Sequence, residues 1–492
     1  MKSLIFVALL LAMTVSAQKP YTGNYDEPYR PAFHFTPPSQ WMNDPNGLVY
    51  HNGKYHLFYQ YHPHSNVWGP MHWGHAESKD LVHWTHLPIA LYPDEKGHIF
   101  SGSAVIDKNN TAGFGKDAMV AIYTYHSDEL WKQGHKNTES QAIAYSLDEG
   151  KTWTKYKNNP VLNNTGEQDF RDPKVFWNDA TNKWIMVLAV HDMIRIFSSP
   201  NLKDWTFESN FQPREDLVLG VWECPDLFPM DYQGQQKWVM IVNHGDKAVN
   251  GGSGTRYFVG DFDGKKFTPE APGKWLDFGT DYYAAVTFGN APDGKKMIQG
   301  WMSNWQYATK VPTEVWRSAM ALPRELSLSK DANGWFLRQE TLSAMASIKD
   351  SVYSSEWTAL PFKETLPTES EVAFVIDGGT DNLLVEIGNV DGEKIVLQLK
   401  DGQFSIDRTK SGKLDFSDKF ASVQTMPVPE KIVSVQLFLD NSSVEVFLNE
   451  GKYVMTNLFF PTEPYNIISV AGSSKEIKHV DINKLNNIWR KE

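Results

Sequence analysis

The chain has 492 residues, 41% of them hydrophobic and 22% charged, and a formal net charge of −12. That length exceeds the usual single hydrophobic core and predicts two domains, while the acidic balance excludes a nucleic-acid partner, which demands basic surface. Aromatic side chains stand out, with 18 Trp, 20 Tyr and 27 Phe.

At the N-terminus, MKSLIFVALLLAMTVSAQKP carries Lys2, an apolar run from Leu4 to Met13, and the small-x-small triplet Val15-Ser16-Ala17. These are the parts of a secretory signal peptide (residues 1–17) cleaved near Ala17. The run falls short of the ~20 apolar residues of a membrane span. The expectation is an exported protein, periplasmic or extracellular, without a membrane anchor. Cys224 is the one cysteine, so no intramolecular disulfide is expected and packing must supply the stability.

Five similar apolar strands follow: YHLFYQY from Tyr55, MVAIYTY from Met119, WIMVLAV from Trp184, WVMIVNH from Trp238 and MIQGWMS from Met297. Downstream of the first four comes a turn that ends in an aromatic, as in SKDLVHW, SLDEGKTW and SPNLKDW. An all-β unit of about 50 to 65 residues, repeated five times, predicts a five-bladed β-propeller over residues 18–340. From residue 341 to 492 the repeat gives way to short alternating strands such as EVAFVID, KIVLQLK and VSVQLFLD. These predict a C-terminal β-sandwich, a supporting or sugar-binding module.

Three repeats carry an acid just ahead of their apolar strand: Asp44 in WMNDPNG, Asp172 in FRDP and Glu223 in WECPD. Repeat two offers the hydroxyls of FSGSAV, and repeat five Asp281-Tyr282. Innermost propeller strands run side by side along the axis, so residues at their starts gather at one end. Singly, Asp44 reads as a turn acid, Asp172 as an ion-pair partner of Arg171, and Glu223 as a strand-end acid. Three acids in register read differently. Like charges held together are costly and shift one another's pKa values, and a glycosidase has a use for them, as nucleophile and as proton donor. Trp41, Trp68, Trp73, Trp222 and Trp316 are expected to offer faces to a sugar ring. The histidines of YHPHSNVWGPMHWGH lack the spacing of a zinc site. Neither metal nor cofactor is expected.

Together, WMNDPNG, FRDP and WECPD, with WGPMHWGHAESKDLVHW, FSGSAV, DFGTDYYA, WRSAMALPREL, SIDRTKSG and SSVEVF, resemble the signature stretches of glycoside hydrolase family 32, the invertases, inulinases, levanases and fructan exohydrolases. The resemblance runs over nearly the whole mature chain. It implies Asp44 as nucleophile, Glu223 as acid/base and Asp172 as stabiliser of the transition state, acting with retention on terminal β-fructosyl units of fructan or sucrose. It further implies Asn43, Gln60, Trp68, Phe100, Ser101, Arg171, Tyr282 and Trp316 around the terminal fructose. A cation at Arg171 is expected to favour ionised Asp172. An endo-acting fructanase, a fructosyltransferase, an arabinan-degrading propeller enzyme and a non-catalytic fructan-binding protein are the alternatives at this point.

Overall fold

The computed structural model describes residues 24–213 and 220–490; the expected cleavage site near Ala17 lies outside the described residues. Five antiparallel sheets succeed one another along the chain. Blade 1 comprises Gln40–His51, Lys54–His62, His72–Ser78 and Trp84–Leu91, and blade 2 His98–Asp107, Ala118–His126, Glu139–Ser146 and Thr154–Lys155. Blade 3 comprises Phe170–Asn178, Lys183–Val190, Met193–Ser199 and Thr206–Phe211. Blade 4 is built on Trp222–Tyr232, Gln235–His244, Gly254–Phe262 and Phe267–Pro269, and blade 5 on Tyr283–Thr287, Lys296–Met302, Arg324–Asp331 and Gly334–Thr341. The fold is a five-bladed β-propeller followed by a β-sandwich.

The five repeated apolar stretches are the second strands of the blades. They are almost wholly buried, because a strand packed between two neighbouring blades has no solvent face. That is why they read as continuous apolar runs and not as alternating ones. The ring is closed by Trp316–Arg317, which returns from blade 5 to pair in parallel with Gln40 and Trp41 of blade 1. This short pair joins the last blade to the first and covers the start of the blade 1 inner strand.

Innermost strands of adjacent blades splay apart, and buried polar side chains span most of the gaps, each satisfied by a partner as burial requires. Asn46 Oδ1 of blade 1 accepts from the Gly102 amide of blade 2 at 3.1 Å. Ser103 Oγ of blade 2 donates to the Pro173 carbonyl of blade 3 at 2.9 Å and accepts from the Val175 amide at 3.0 Å. Lys174 Nζ of blade 3 lies 3.1 Å from Asp226 of blade 4, whose Oδ2 accepts from the Thr287 amide and hydroxyl of blade 5 at 2.7 Å. Between blades 5 and 1 the backbone does this directly, through Gly289 with Leu48 and Tyr50 at 2.9 Å.

Two six-stranded sheets form the sandwich. One runs Lys349–Ala359, Glu476–Leu485, Ser370–Thr380, Ile432–Asp440, Ser443–Leu448, Tyr453–Leu458; the other runs Phe362–Thr365, Ile467–Gly472, Leu383–Gly388, Lys394–Lys400, Gln403–Lys410, Val423–Pro427. Phe374, Leu437 and Val446 of the first meet Val385, Leu397 and Ile406 of the second in one core.

Candidate active site

Every innermost strand carries an irregularity at the same level, where two of its residues stand opposite one residue of the second strand. The pairs are Asn43-Asp44, Phe100-Ser101, Asp172-Pro173, Cys224-Pro225 and Ala284-Ala285. A bulge of this kind kinks the strand and re-aims a side chain. Asp172 and Cys224 take left-handed backbone angles within it, at φ 64° and 41°, a conformation uncommon outside glycine. Asp44 and Asp172 thus sit in two of the bulges, and Glu223 directly precedes a third.

The acids meet in one cavity of about 730 Å³ at the end of the propeller where these strands begin. Asp44 accepts from Asn43 Nδ2 at 3.0 Å on Oδ1 and from Ser101 Oγ at 2.7 Å on Oδ2. Asn43 is held in turn by Trp41 Nε1 at 2.7 Å. Asp172 Oδ2 accepts from the Cys224 amide at 3.1 Å, and the Asp172 amide donates to Thr124 Oγ1 at 3.0 Å. Cys224 Sγ lies 3.6 Å from Asp44 and 3.7 Å from Asp172. Arg171 grips Glu223 Oε1 through Nε and Nη2, both at 3.0 Å, and Tyr283 donates its hydroxyl to Glu223 Oε2.

Electrostatics follow from crowding. Desolvation, then the neighbouring Glu223 charge, pushes the Asp44 carboxyl above its ordinary value. Burial raises Asp172 well above the usual carboxylate range; Arg171 opposes this, while Glu223 and Asp44 add to it. The Cys224 thiol is driven well up by burial and then by the carboxylates around it, so it packs between them as a neutral group and is no nucleophile.

Asn43, Gln60, Trp68, Phe100, Ser101 and Arg171 line the same cavity as the three acids. Other expectations need correction. Tyr282 is 1% exposed and lies beneath the Arg324 guanidinium, 4.1 Å from its ring centre. It is Tyr283 that reaches Glu223, because successive residues of an extended chain point to opposite faces. Trp316 is spent on the closing strand, with Arg30 stacked 4.8 Å from its ring, and Trp305, from the same long connection, takes a place on the cavity wall. Trp41, Trp73 and Trp222 are fully buried in the blades; of the tryptophans expected to face a sugar, Trp68 alone lines the cavity, 41% exposed and edge-on to Phe100 at 6.0 Å. Asp281 accepts from the buried Arg408 of the sandwich. Arg171 hydrogen-bonds not to Asp172 but to Glu223, Asp169 and Glu139, the last at 3.0 Å, and Asp172 is raised on balance because desolvation outweighs that cation. Glu139, Trp131 and Trp305 belong to no acid motif, and only the three-dimensional path of the chain brings them to the site, whereas Tyr283 stands one residue past the Asp281-Tyr282 pair of repeat five. Among the described residues no group of three or more His, Cys, Asp or Glu is arranged to hold a metal.

A five-bladed propeller whose axial cavity joins three carboxylates to exposed aromatic faces defines a carbohydrate-cleaving enzyme. The chain belongs to glycoside hydrolase family 32. Residues 34–340 match the model of the glycosyl hydrolases family 32 N-terminal domain, and residues 351–486 that of its C-terminal domain. It is 46% identical to a levanase of Bacillus subtilis over 99% of this chain and 75% of that one. It is 40% identical to an extracellular exo-inulinase of Aspergillus ficuum over 98% and 99%. Among solved structures, exo-inulinase of Aspergillus awamori superposes with a TM-score of 0.86 at 37% identity, covering 95% of this chain and 100% of that one. The β-fructofuranosidase of Schwanniomyces occidentalis complexed with fructosyl-erythritol gives 0.83 at 32% identity, covering 94% and 99%.

Proposed function

We propose that this glycoside hydrolase is an exported, retaining β-fructosidase that removes terminal fructosyl units from fructans or sucrose. The observation that carries the reading is the convergence of three carboxylates from three blades, Asp44, Asp172 and Glu223, in one cavity walled by Trp68, Phe100 and Trp131. Asp44 is held by Asn43 and Ser101 without a cation of its own, whereas Glu223 is gripped by Arg171 and Tyr283. Asp44 attacks the anomeric carbon as the bond to the leaving oxygen breaks, and Glu223 passes a proton to that oxygen. Glu223 then takes a proton from water, which displaces the carboxylate with a second inversion. Asp172, fixed by the Cys224 amide, accepts ring hydroxyls and faces the oxocarbenium-like charge. Asn43, Gln60, Trp68, Phe100, Ser101 and Arg171 surround the terminal ring. The levanase and exo-inulinase relatives support fructan as substrate, and extracellular relatives support export. Residues 18–340 would form the catalytic domain and 341–492 its support.

Purified protein incubated separately with sucrose, inulin and levan provides the test. Free fructose should accumulate while chain length falls slowly. Methanol added to the reaction should trap a methyl β-fructoside, the retained product. Oligosaccharides ahead of fructose would overturn the terminal mode of action, and no cleavage of any of the three would overturn the whole assignment.

A further inference from the structure

The connections between second and third strands ring the mouth of the cavity, since each second strand ends where the innermost strands begin. Their lengths differ sharply. Blade 3 turns within residues 191–192, so its rim is low, whereas blade 2 inserts residues 127–138 between its second and third strands. This insertion is a built element. Ser127 caps a helical turn, Asp128–Lys132, by accepting from the Leu130 amide at 3.3 Å. Gly134, at φ 79°, ends the turn by returning its amide to the Trp131 carbonyl at 2.9 Å, a position that favours glycine. The Ser127 amide donates to the Thr138 carbonyl at 2.8 Å and closes the base. Asp128 sits 3.6 Å from both His98 and His126, and the His126 ring stacks on Phe100 at 4.4 Å.

The insertion therefore continues the wall that starts at Phe100 beside the acids. Trp131, His135 and Lys136 all line the cavity. Trp131 is 64% exposed, a large ring left uncovered at the rim of a site otherwise rich in buried aromatics. Isolated exposed apolar residues need no explanation, but one that borders a concave site beside hydrogen-bonding groups does.

We propose that residues 127–138 form the subsite for the leaving portion of a fructan chain, with the Trp131 ring as its stacking platform and His135 and Lys136 as donors to its hydroxyls. The inference rests on the β-fructosidase reading and deepens it. A chain anchored by its terminal unit at Asp44 leaves along the raised wall of blade 2 and over the low rim of blade 3. Sucrose, with one ring beyond the scissile bond, engages this wall least. The insertion thus makes the enzyme select for length.

The experiment compares kcat/KM for sucrose with that for purified inulin- and levan-type pentasaccharides, in wild type, Trp131→Ala and Trp131→Tyr. Because Trp131 is exposed, its removal leaves the fold intact, which thermal melting verifies. The pentasaccharide-to-sucrose ratio should fall roughly tenfold in Trp131→Ala, the scale of one lost stacking contact, and recover most of its value in Trp131→Tyr, which keeps an aromatic face. An active enzyme whose ratio is unchanged, whether or not both rates drop together, would overturn the subsite while leaving the β-fructosidase reading in place. A wild type that cleaves no fructoside would overturn both.

Discussion

At the scale of single residues, the site stores unfavourable charge. Asp44 has a carboxyl raised from 3.8 by burial and by Glu223, so the folded state binds its proton more tightly than the unfolded chain does. The sign follows: the protonated form contributes stability that is fully present below pH 3.8 and is lost as pH rises through the folded value. Asp44→Asn keeps the shape and removes the charge. Turnover should fall by at least about a thousandfold, since the attacking group is gone. The melting temperature should rise by roughly a few degrees near neutral pH, and this advantage should vanish as pH is lowered towards 3.8. Melting curves of both proteins across pH, with initial rates at neutral pH, check the prediction. A variant less stable than wild type at neutral pH would contradict the stored-charge account.

At the scale of elements, the bulges are the devices that turn ordinary inner strands into a site, and each needs its own support. At Asp172 that support is Thr124, directly across the blade interface. Its hydroxyl accepts from the Asp172 amide at 3.0 Å and donates to Gln141 Oε1 at 2.7 Å, while Gln141 Nε2 donates to the Phe170 carbonyl at 2.8 Å. Thr124→Val leaves the volume nearly unchanged but strands a buried amide, a loss of about 1–3 kcal/mol. The melting temperature should drop, and kcat should fall more than tenfold as Asp172 loses its aim. Thr124→Ser, which keeps the hydroxyl, should restore both; equal damage from the two variants would refute the hydrogen-bond argument. This is also the level at which the sequence stops being legible. The repeated second strands were readable because burial on both faces writes a continuous apolar run, and Asp44, Asp172 and Glu223 because Pro and turn residues mark each strand start. A bulge writes no such pattern, and one residue of uncertainty in its register exchanges Tyr282 for Tyr283. Trp316 and Trp305 lie on one long connection, and only the closing parallel pair with Gln40 decides which of them is withdrawn from the cavity.

At the scale of the whole molecule, propeller and sandwich are joined by buried ions as well as by apolar packing. His34, just ahead of blade 1, places Nδ1 2.7 Å from Asp440 and Nε2 3.0 Å from Glu445, both from the sandwich and all fully buried. Glu445 also receives Arg324 of blade 5 at 2.7 Å and the Leu322 amide at 2.7 Å, and Asp440 the Ala32 amide at 2.8 Å. The chain start, blade 5 and the sandwich thus share one charge cluster. Burial alone would lower the imidazole pKa, but bonds to Asp440 and Glu445 and their charges outweigh it and raise His34 from 6.5 to about 9. A folded value above the unfolded one means that this stabilisation is complete below pH 6.5 and is lost as pH rises through about 9. Wild-type stability should therefore decline across that window. His34→Leu should be less stable by about 3 kcal/mol at pH 6, because two buried carboxylates lose a partner though each keeps others. Its melting temperature should be nearly flat from pH 6.5 to 9, so that the two curves converge at alkaline pH. Denaturant titrations of both proteins at pH 6 and pH 9 measure this convergence, and parallel curves would show that His34 is held neutral and fastens the two domains by shape alone.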